Sequence, residues 1–213
     1  MTLEEARRRM VEEQLAGRGI ADPRVLAAMG RVARHEFVDD ALRYAAYHDK
    51  PLPIGDEQTI SQPFMVALMS EALALRGDER VLEIGTGCGY QTAILAELAA
   101  EVFSIERLAA LAAHARCTLE RLGYGSVHLR VGDGTLGWPE AAPFDAVLIT
   151  AATPMIPRPL LGQLRPGGRM VFPMGEEELQ TLVRIRKNEA GLEEECLGEC
   201  RFVRLVGRYG FER

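Results

Sequence analysis

The chain has 213 residues, 47% hydrophobic and 26% charged, with 31 acidic against 25 basic side chains for a net charge of −6. That length supports one large domain with a sizeable core, and the acidic balance excludes a nucleic-acid binder held by bulk electrostatics, although not a local basic patch. No apolar run approaches the ~20 residues a membrane span needs, and MTLEEARRRMVEEQL is charged too early for a secretory leader, so the expectation is a cytoplasmic protein.

Residues 3–16 read as an amphipathic helix stopped by Gly17 and Gly19. Asp22-Pro23 opens a second, with Asp at the cap and Pro at the first helical position. The stretch 31–62 reads as irregular; its PLPIGDEQTISQP segment shows no helical or strand period. Pro63 begins a third helix, with Met65, Leu68, Met69, Ala72 and Leu73 at helical spacing.

From residue 80 the pattern changes to strands alternating with helices. RVLEIG, EVFSIE, SVHLRVG and FDAVLITAA read as strands, with QTAILAELAA and RLAALAAHARCTLERLG as helices between the first three. A short helix near Pro157–Leu164 precedes the strands RMVFPMG and TLVRIRKN, and CRFVRLVG is expected as a last strand near the C-terminus. Alternation of this kind predicts right-handed crossovers and a parallel sheet covered by helices, with the later strands adding antiparallel edge pairing. Residues 1–79 are expected as a helical cap carrying a site loop, laid on an α/β core spanning 80–213, all within a single domain 1–213. The glutamate runs 176–178 and 193–195 are expected to be solvated turns. Cys88, Cys117, Cys196 and Cys200 are scattered without a nearby histidine pattern, which predicts reduced thiols and no metal site.

The strongest chemical signal is VLEIGTGCGY, a strand followed by G-x-G-x-G and a helix. Gly85, Gly87 and Gly89 permit a tight turn that a ligand can approach, and the following helix offers free N–H groups. A dinucleotide site wants G-x-G-x-x-G, but Tyr90 stands at the third glycine position. Glu83, in the strand end, would repel a pyrophosphate and suits the ammonium of a methionine-type cofactor. Glu106, closing the next strand, is placed to accept ribose hydroxyls, and Asp133 in VGDG is placed for an adenine amino group. These residues favour S-adenosyl-L-methionine over a nicotinamide cofactor.

The segments MVEEQLAGRGI, RHEFV, PLPIG, QTISQPFMVALM, VLEIGTGCGYQTAILAEL, VFSIER, GDG, GWPEAAPFDAVLITAA, QLRPGGRMVFPMG and RFV run from residue 10 to about 203. Together they resemble the protein-L-isoaspartate (D-aspartate) O-methyltransferase family, and QTISQP is the specific one among them. The resemblance implies a Rossmann-like class I methyltransferase sheet, mostly parallel with antiparallel edge strands. It implies an enzyme that methylates the free carboxylate of L-isoaspartyl residues in damaged proteins, giving S-adenosyl-L-homocysteine and starting repair through a succinimide. Donor binding would fall to Gln58, Thr59, Ile60, Ser61, Glu83, Gly85, Thr86, Gly87, Glu106, Arg107, Asp133 and Gly134, with Ser61 the catalytic residue. Ile54, Thr59, Ser61, Phe202 and Val203 would meet the substrate.

Four positions depart from the family's usual residues: Ala33, Glu57, Cys88 and Arg204. Glu57, in place of a frequent glycine, bears on the shape of the site loop. The partners implied are isoaspartyl proteins and peptides, without nucleic acid or membrane, and the enzyme implied is a monomer. Two other readings stay open on sequence: a class I methyltransferase for a small molecule or RNA, and a non-catalytic relative that binds peptide or cofactor.

Overall fold

The computed structural model describes residues 1–176 and 178–212. Helix α1 (Leu3–Arg9) starts from a reciprocal cap, in which the Glu5 N–H donates to the Thr2 hydroxyl (3.1 Å) and the Thr2 N–H to the Glu5 carboxylate (2.7 Å). It runs on as a wider π-helical stretch through Leu15, burying Met10 and Leu15, and stops at Gly19 in the left-handed region. Asp22 caps α2 (Pro23–Arg31) by accepting from the Arg24 N–H, as the Asp-Pro pair predicts.

The stretch 31–62 is less irregular than its sequence suggests. After 3-10 turns at Arg34–Phe37 and Asp40–Ala45 comes a small antiparallel hairpin, β1 (Leu52–Gly55) and β2 (Gln58–Ile60). Asp56 and Glu57 make its turn with φ of 49° and 59°. Positive φ at both central positions is the turn whose twist matches a two-stranded ribbon, a geometry that Asn-Gly and Asp-Gly satisfy most easily. Two prolines and strands of three and four residues hid this hairpin from periodicity. Helix α3 (Pro63–Ala72) follows directly.

The α/β region runs β3 (Arg80–Ile84), α4 (Tyr90–Leu98), β4 (Glu101–Glu106), α5 (Ala109–Arg121), β5 (His128–Val131), β6 (Phe144–Ile149), α6 (Arg158–Gln163), β7 (Leu164–Gly175), β8 (Gln180–Asn188) and β9 (Gly191–Cys200). They form one seven-stranded sheet in the order β5-β4-β3-β6-β7-β8-β9. The first five of these are parallel, and β8 and β9 add antiparallel pairing. The chain winds outward from β3 through β4 to β5, then returns to β6 on the other side of β3. That reversal leaves a crevice at the C-terminal strand ends, where open α/β sheets take ligands.

Both faces of the sheet are buried. Leu82, Ile84, Phe144, Val147 and Phe172 pack under α6, while Val81, Ala146, Leu148 and Val171 share a continuous core with Met10, Leu15, Met29, Phe37 and Tyr90 of the helical side. Each fully buried Leu, Ile or Phe contributes about 1.5–3 kcal/mol. The N-terminal helices thus supply the cover that one face of the sheet requires.

Two expectations near the C-terminus need correction. Residues 201–207 are not a regular strand; only isolated bridges, Ala152 with Arg204 and Val206 with Phe211, mark the segment. The last strand is β9, at a place where the shortage of apolar residues in GLEEEC predicts a turn. Glu193 and Glu195 sit opposite Arg186 and Arg184 of β8, and Arg184 is paired with Glu195, so opposite charge across the ladder replaces hydrophobic patterning. Glu176 and Glu178 are off the strands, and Glu177 lies outside the described residues. Cys88, Cys117, Cys196 and Cys200 are free, and among the described residues no cluster of metal-ligating side chains occurs.

Candidate active site

One cavity opens at the crevice. Its floor comes from Ile84, Gly85, Thr86 and Gly87 after β3, Ile105, Glu106, Arg107 and Leu108 after β4, Gly134 after β5, and Thr150 and Ala151 after β6. The hairpin side supplies Ile54, Gln58, Thr59, Ile60 and Ser61, and the C-terminal segment supplies Val203, Arg204, Leu205 and Val206. Among the described residues lining it there is no histidine.

The glycine loop is shaped by close contact. Gly85 has φ +95°, and a Cβ there would fall well within 3.0 Å of the Thr150 hydroxyl. That hydroxyl donates to the carbonyls of Ile84 (3.0 Å) and Gly85 (2.7 Å), tying β6 to the loop. A Cβ on Gly134 would strike Ile84 equally hard. At Gly87 the neighbour is Ile54, so the hairpin rests on the loop itself. These positions hold bare backbone against the cavity, which is the surface a nucleoside ligand needs.

Glu106 is nearly buried yet faces the cavity. One carboxylate oxygen accepts from the Gly87 N–H and the other from the Leu108 N–H, both at 2.9 Å. Each oxygen retains a second lone pair, so the residue is locked in place and still able to accept two hydroxyls.

Ser61 follows β2 and precedes the α3 start. The entry to α3 is fixed by Asp49, which accepts from the Phe64 N–H at 3.0 Å and pairs with Arg18, whose guanidinium stacks 3.7 Å from the Phe64 ring. The QTISQP segment is therefore anchored at both ends, by the hairpin ladder and by this knot, leaving Thr59 and Ser61 on the cavity wall.

Three expected site residues are placed elsewhere. Glu83 does not line the cavity. It lies fully buried beneath the loop, where one oxygen accepts from the Thr92 hydroxyl (2.5 Å) and the Ser104 hydroxyl (2.6 Å) while the other has no partner. Burial pushes its pKa up to about 8 against the lowering effect of those two hydroxyls. Alternation along β3 explains the placement, because Ile84 takes the cavity side and Glu83 the helix side. Ser104 is also joined to Thr86 at 2.6 Å, so the buried carboxyl reaches the glycine loop through a chain of hydroxyls.

Asp133 is likewise turned away from the cavity. It caps the 3-10 turn Gly134–Leu136, accepting from the Thr135 N–H (2.9 Å) and hydroxyl (2.7 Å), and it accepts the Arg208 N–H at 2.8 Å. Burial alone would raise its pKa, but the Arg208 N–H and the two Thr135 donors outweigh it and hold the carboxyl below its usual range. Phe202 packs into the core edge, its N–H donating to Gln180, and only Val203 of that pair reaches the cavity.

Several lining residues were not foreseen. Thr150 and Ala151 end a parallel strand beside β3, and strand-end position was the signal that could have found them. Gln91, a buried polar residue of α4, donates to Ser70 at 3.0 Å; its sequence context gives no clue. Cys88 and Tyr90 line the base, and burial pushes the Cys88 thiol up to about 11, which keeps it an inert packing group.

The sequence profile of a family described as protein-L-isoaspartate(D-aspartate) O-methyltransferase matches residues 5–210. Protein-L-isoaspartate O-methyltransferase 1 of Syntrophobacter fumaroxidans is 58% identical over 212 residues, covering 100% of this chain and 99% of that protein. The corresponding Syntrophus aciditrophicus protein is 57% identical, covering 96% and 95%. A solved protein-L-isoaspartate O-methyltransferase superposes with a TM-score of 0.86 at 30% identity, covering 96% of this chain and 67% of that one. A Plasmodium falciparum beta-aspartate methyltransferase in complex with S-adenosyl-L-homocysteine gives a TM-score of 0.82 at 25% identity, covering 94% and 98%.

Proposed function

The chain belongs to the protein-L-isoaspartate(D-aspartate) O-methyltransferase family, and on that footing we propose a division of labour among the residues of its cavity. The enzyme transfers a methyl group from S-adenosyl-L-methionine to the carboxylate of L-isoaspartyl residues in damaged proteins and peptides. Its sheet is the Rossmann-like class I methyltransferase sheet.

The residues present suit that donor. Close packing of Gly85 on Thr150 and of Gly87 on Ile54 keeps the loop there as bare backbone along the cavity, and Glu106 has two free acceptor sites at its rim for ribose hydroxyls. Gln58, Thr59, Ile60, Thr86, Arg107 and Gly134 complete the donor wall. Glu83 acts from below, holding Thr86 through Ser104, and Asp133 acts from behind Gly134. When bound, the donor supplies a methyl on a sulfonium together with its own leaving group.

What the chain must add is placement and dryness. A substrate carboxylate with a pKa near 4 is already ionised at neutral pH and needs no general base. Among the described residues no histidine lines the cavity, and its one lining carboxylate, Glu106, is held by the Gly87 and Leu108 N–H groups, which accords with that. Ser61 donates a hydrogen bond that orients the isoaspartyl carboxylate, and Thr59 stands beside it; neither is a covalent nucleophile. The hairpin, seated on Gly87 through Ile54, shields the reacting atoms from water. Ile54 and Val203 flank the peptide. The methyl ester then closes to a succinimide without help from the protein.

We infer further that residues 1–79 and 80–213 work as one domain, that the enzyme is a cytoplasmic monomer and that it has no nucleic-acid partner. The described residues contain no helix long and apolar enough to cross a membrane. The observation that carries the residue assignments is the meeting of Ser61 and the glycine loop in one cavity. The test uses two short peptides identical except for L-isoaspartate or L-aspartate at one position. Base-labile label on the first alone is expected with wild type, and a tenfold or greater loss with Ser61→Ala. Equal labelling of both peptides, or an unaffected variant, would overturn the assignments.

A further inference from the structure

The C-terminal wall of the cavity does not stand on a strand of its own. Val203 and Leu205 are tied on one side to Ala152, through the Ala152 N–H to the Val203 carbonyl and the Leu205 N–H to the Ala152 carbonyl, both at 2.7 Å. Beyond Val206 the chain folds back in a tight turn. The Gly210 N–H donates to the Gly207 carbonyl at 3.1 Å and the Phe211 N–H to the Leu205 carbonyl at 2.8 Å.

That turn is keyed to the segment behind the donor floor. Asp133 accepts the Arg208 N–H, and the Thr135 hydroxyl, while donating to Asp133 at 2.7 Å, accepts the Tyr209 N–H at 3.1 Å. Thr135 is fully buried although it lies on a loop. The fit leaves no slack: a Cβ on Gly207 would fall within 3.0 Å of both Asp133 and Thr135. Gly134, next to Thr135, lines the floor of the same cavity.

We propose that Thr135 is a positioning residue whose hydroxyl, relaying Asp133 to the C-terminal turn, sets where the Val203–Val206 wall stands relative to the donor floor. The proposal rests on the reading above, in which Gly134 belongs to the donor side and Val203 to the peptide side. Loss of the relay should let the wall drift, weakening peptide binding more than donor binding or the chemical step.

The experiment compares wild type, Thr135→Val and Thr135→Ser. It measures kcat and KM for an L-isoaspartyl peptide and Kd for S-adenosyl-L-homocysteine by calorimetry. Thr135→Val is expected to raise peptide KM about fivefold to tenfold, roughly the worth of one hydrogen bond, with kcat and donor-product Kd within twofold. Thr135→Ser is expected to restore the wild-type KM. If Thr135→Val does not fold, Arg208→Pro, with Arg208→Ala as its charge control, deletes the N–H held by Asp133. Proline suits that second position of the turn, and the same KM rise is expected.

An unchanged peptide KM in the folded variant overturns the proposal. So does a rise that serine fails to reverse, or one matched by an equal rise in donor-product Kd. Wild-type activity separates this from the parent reading, since wild type that methylates neither peptide sinks the functional reading itself.

Discussion

Glu83→Gln puts the buried carboxyl of β3 to a test of sign and size. In the folded chain the carboxyl keeps its proton until about pH 8, whereas the unfolded chain releases it near the ordinary 4.5. Between those values the native state binds more protons than the unfolded one, so stability falls as pH rises. From pH 5.5 to 8.5 the wild type should lose about 3 kcal/mol from this group alone, at about 1.36 kcal/mol for each decade over which only the unfolded chain ionises. Glutamine keeps an oxygen for Thr92 and Ser104 but cannot ionise. Urea unfolding of both proteins at the two pH values gives the answer by difference, which cancels every other titrating group. The variant should gain about 3 kcal/mol on wild type between pH 5.5 and 8.5. A difference that stays flat across pH would mean that Glu83 is ionised in the fold, and the protonated carboxyl inferred from its burial would fall.

Three further outcomes are expected. Glu57→Gly should stabilise the enzyme by about 1 kcal/mol in urea unfolding, because it relieves a non-glycine residue at φ 59° and creates the Asp-Gly pair this turn favours; a loss of stability would contradict the turn geometry. Gly85→Ala should weaken S-adenosyl-L-homocysteine binding at least about tenfold by calorimetry, since the added methyl must displace Thr150 and the backbone it holds; unchanged affinity would place the donor elsewhere. Ser61→Ala should cut kcat/KM for the isoaspartyl peptide by about 10- to 100-fold, the worth of a hydrogen bond to a charged group, while leaving donor-product Kd within about threefold. A matching loss of donor affinity would instead make Ser61 a donor contact only.

Much of the α/β half was legible because each strand there is an apolar run closed by glycine or charge, as EVFSIE is for β4, whose predicted and observed bounds coincide. The elements that escaped were those built without an apolar period. The β1–β2 hairpin owes its form to turn chemistry at Asp56-Glu57, and β9 to charge pairing with β8. At the site, residue type pointed to the right loops but not to the direction of each side chain. Glu106 ends its strand facing the crevice; Glu83, two residues before Gly85, is turned by the pleat into the core. Asp133 was legible as an acid at a strand end, but the C-terminal turn that claims it lies 75 positions away, a distance no local pattern spans. His35 makes a structural contact with the Tyr47 hydroxyl at 2.6 Å and stays off the cavity wall.

The acidic β9 also bears on the company this enzyme keeps. Its clients are chains carrying isoaspartyl residues, and any such chain that is locally unfolded presents unpaired backbone. A sheet that ends in open N–H and C=O groups is a template for just such segments. Here the terminal strand is short of apolar side chains, carries Glu193, Glu194, Glu195 and Glu199 exposed along its length, and breaks register opposite Leu182–Val183. Each of these discourages strand addition. A repair enzyme must hold its clients briefly at one place and nowhere else, and the far margin of the sheet is built to let them go.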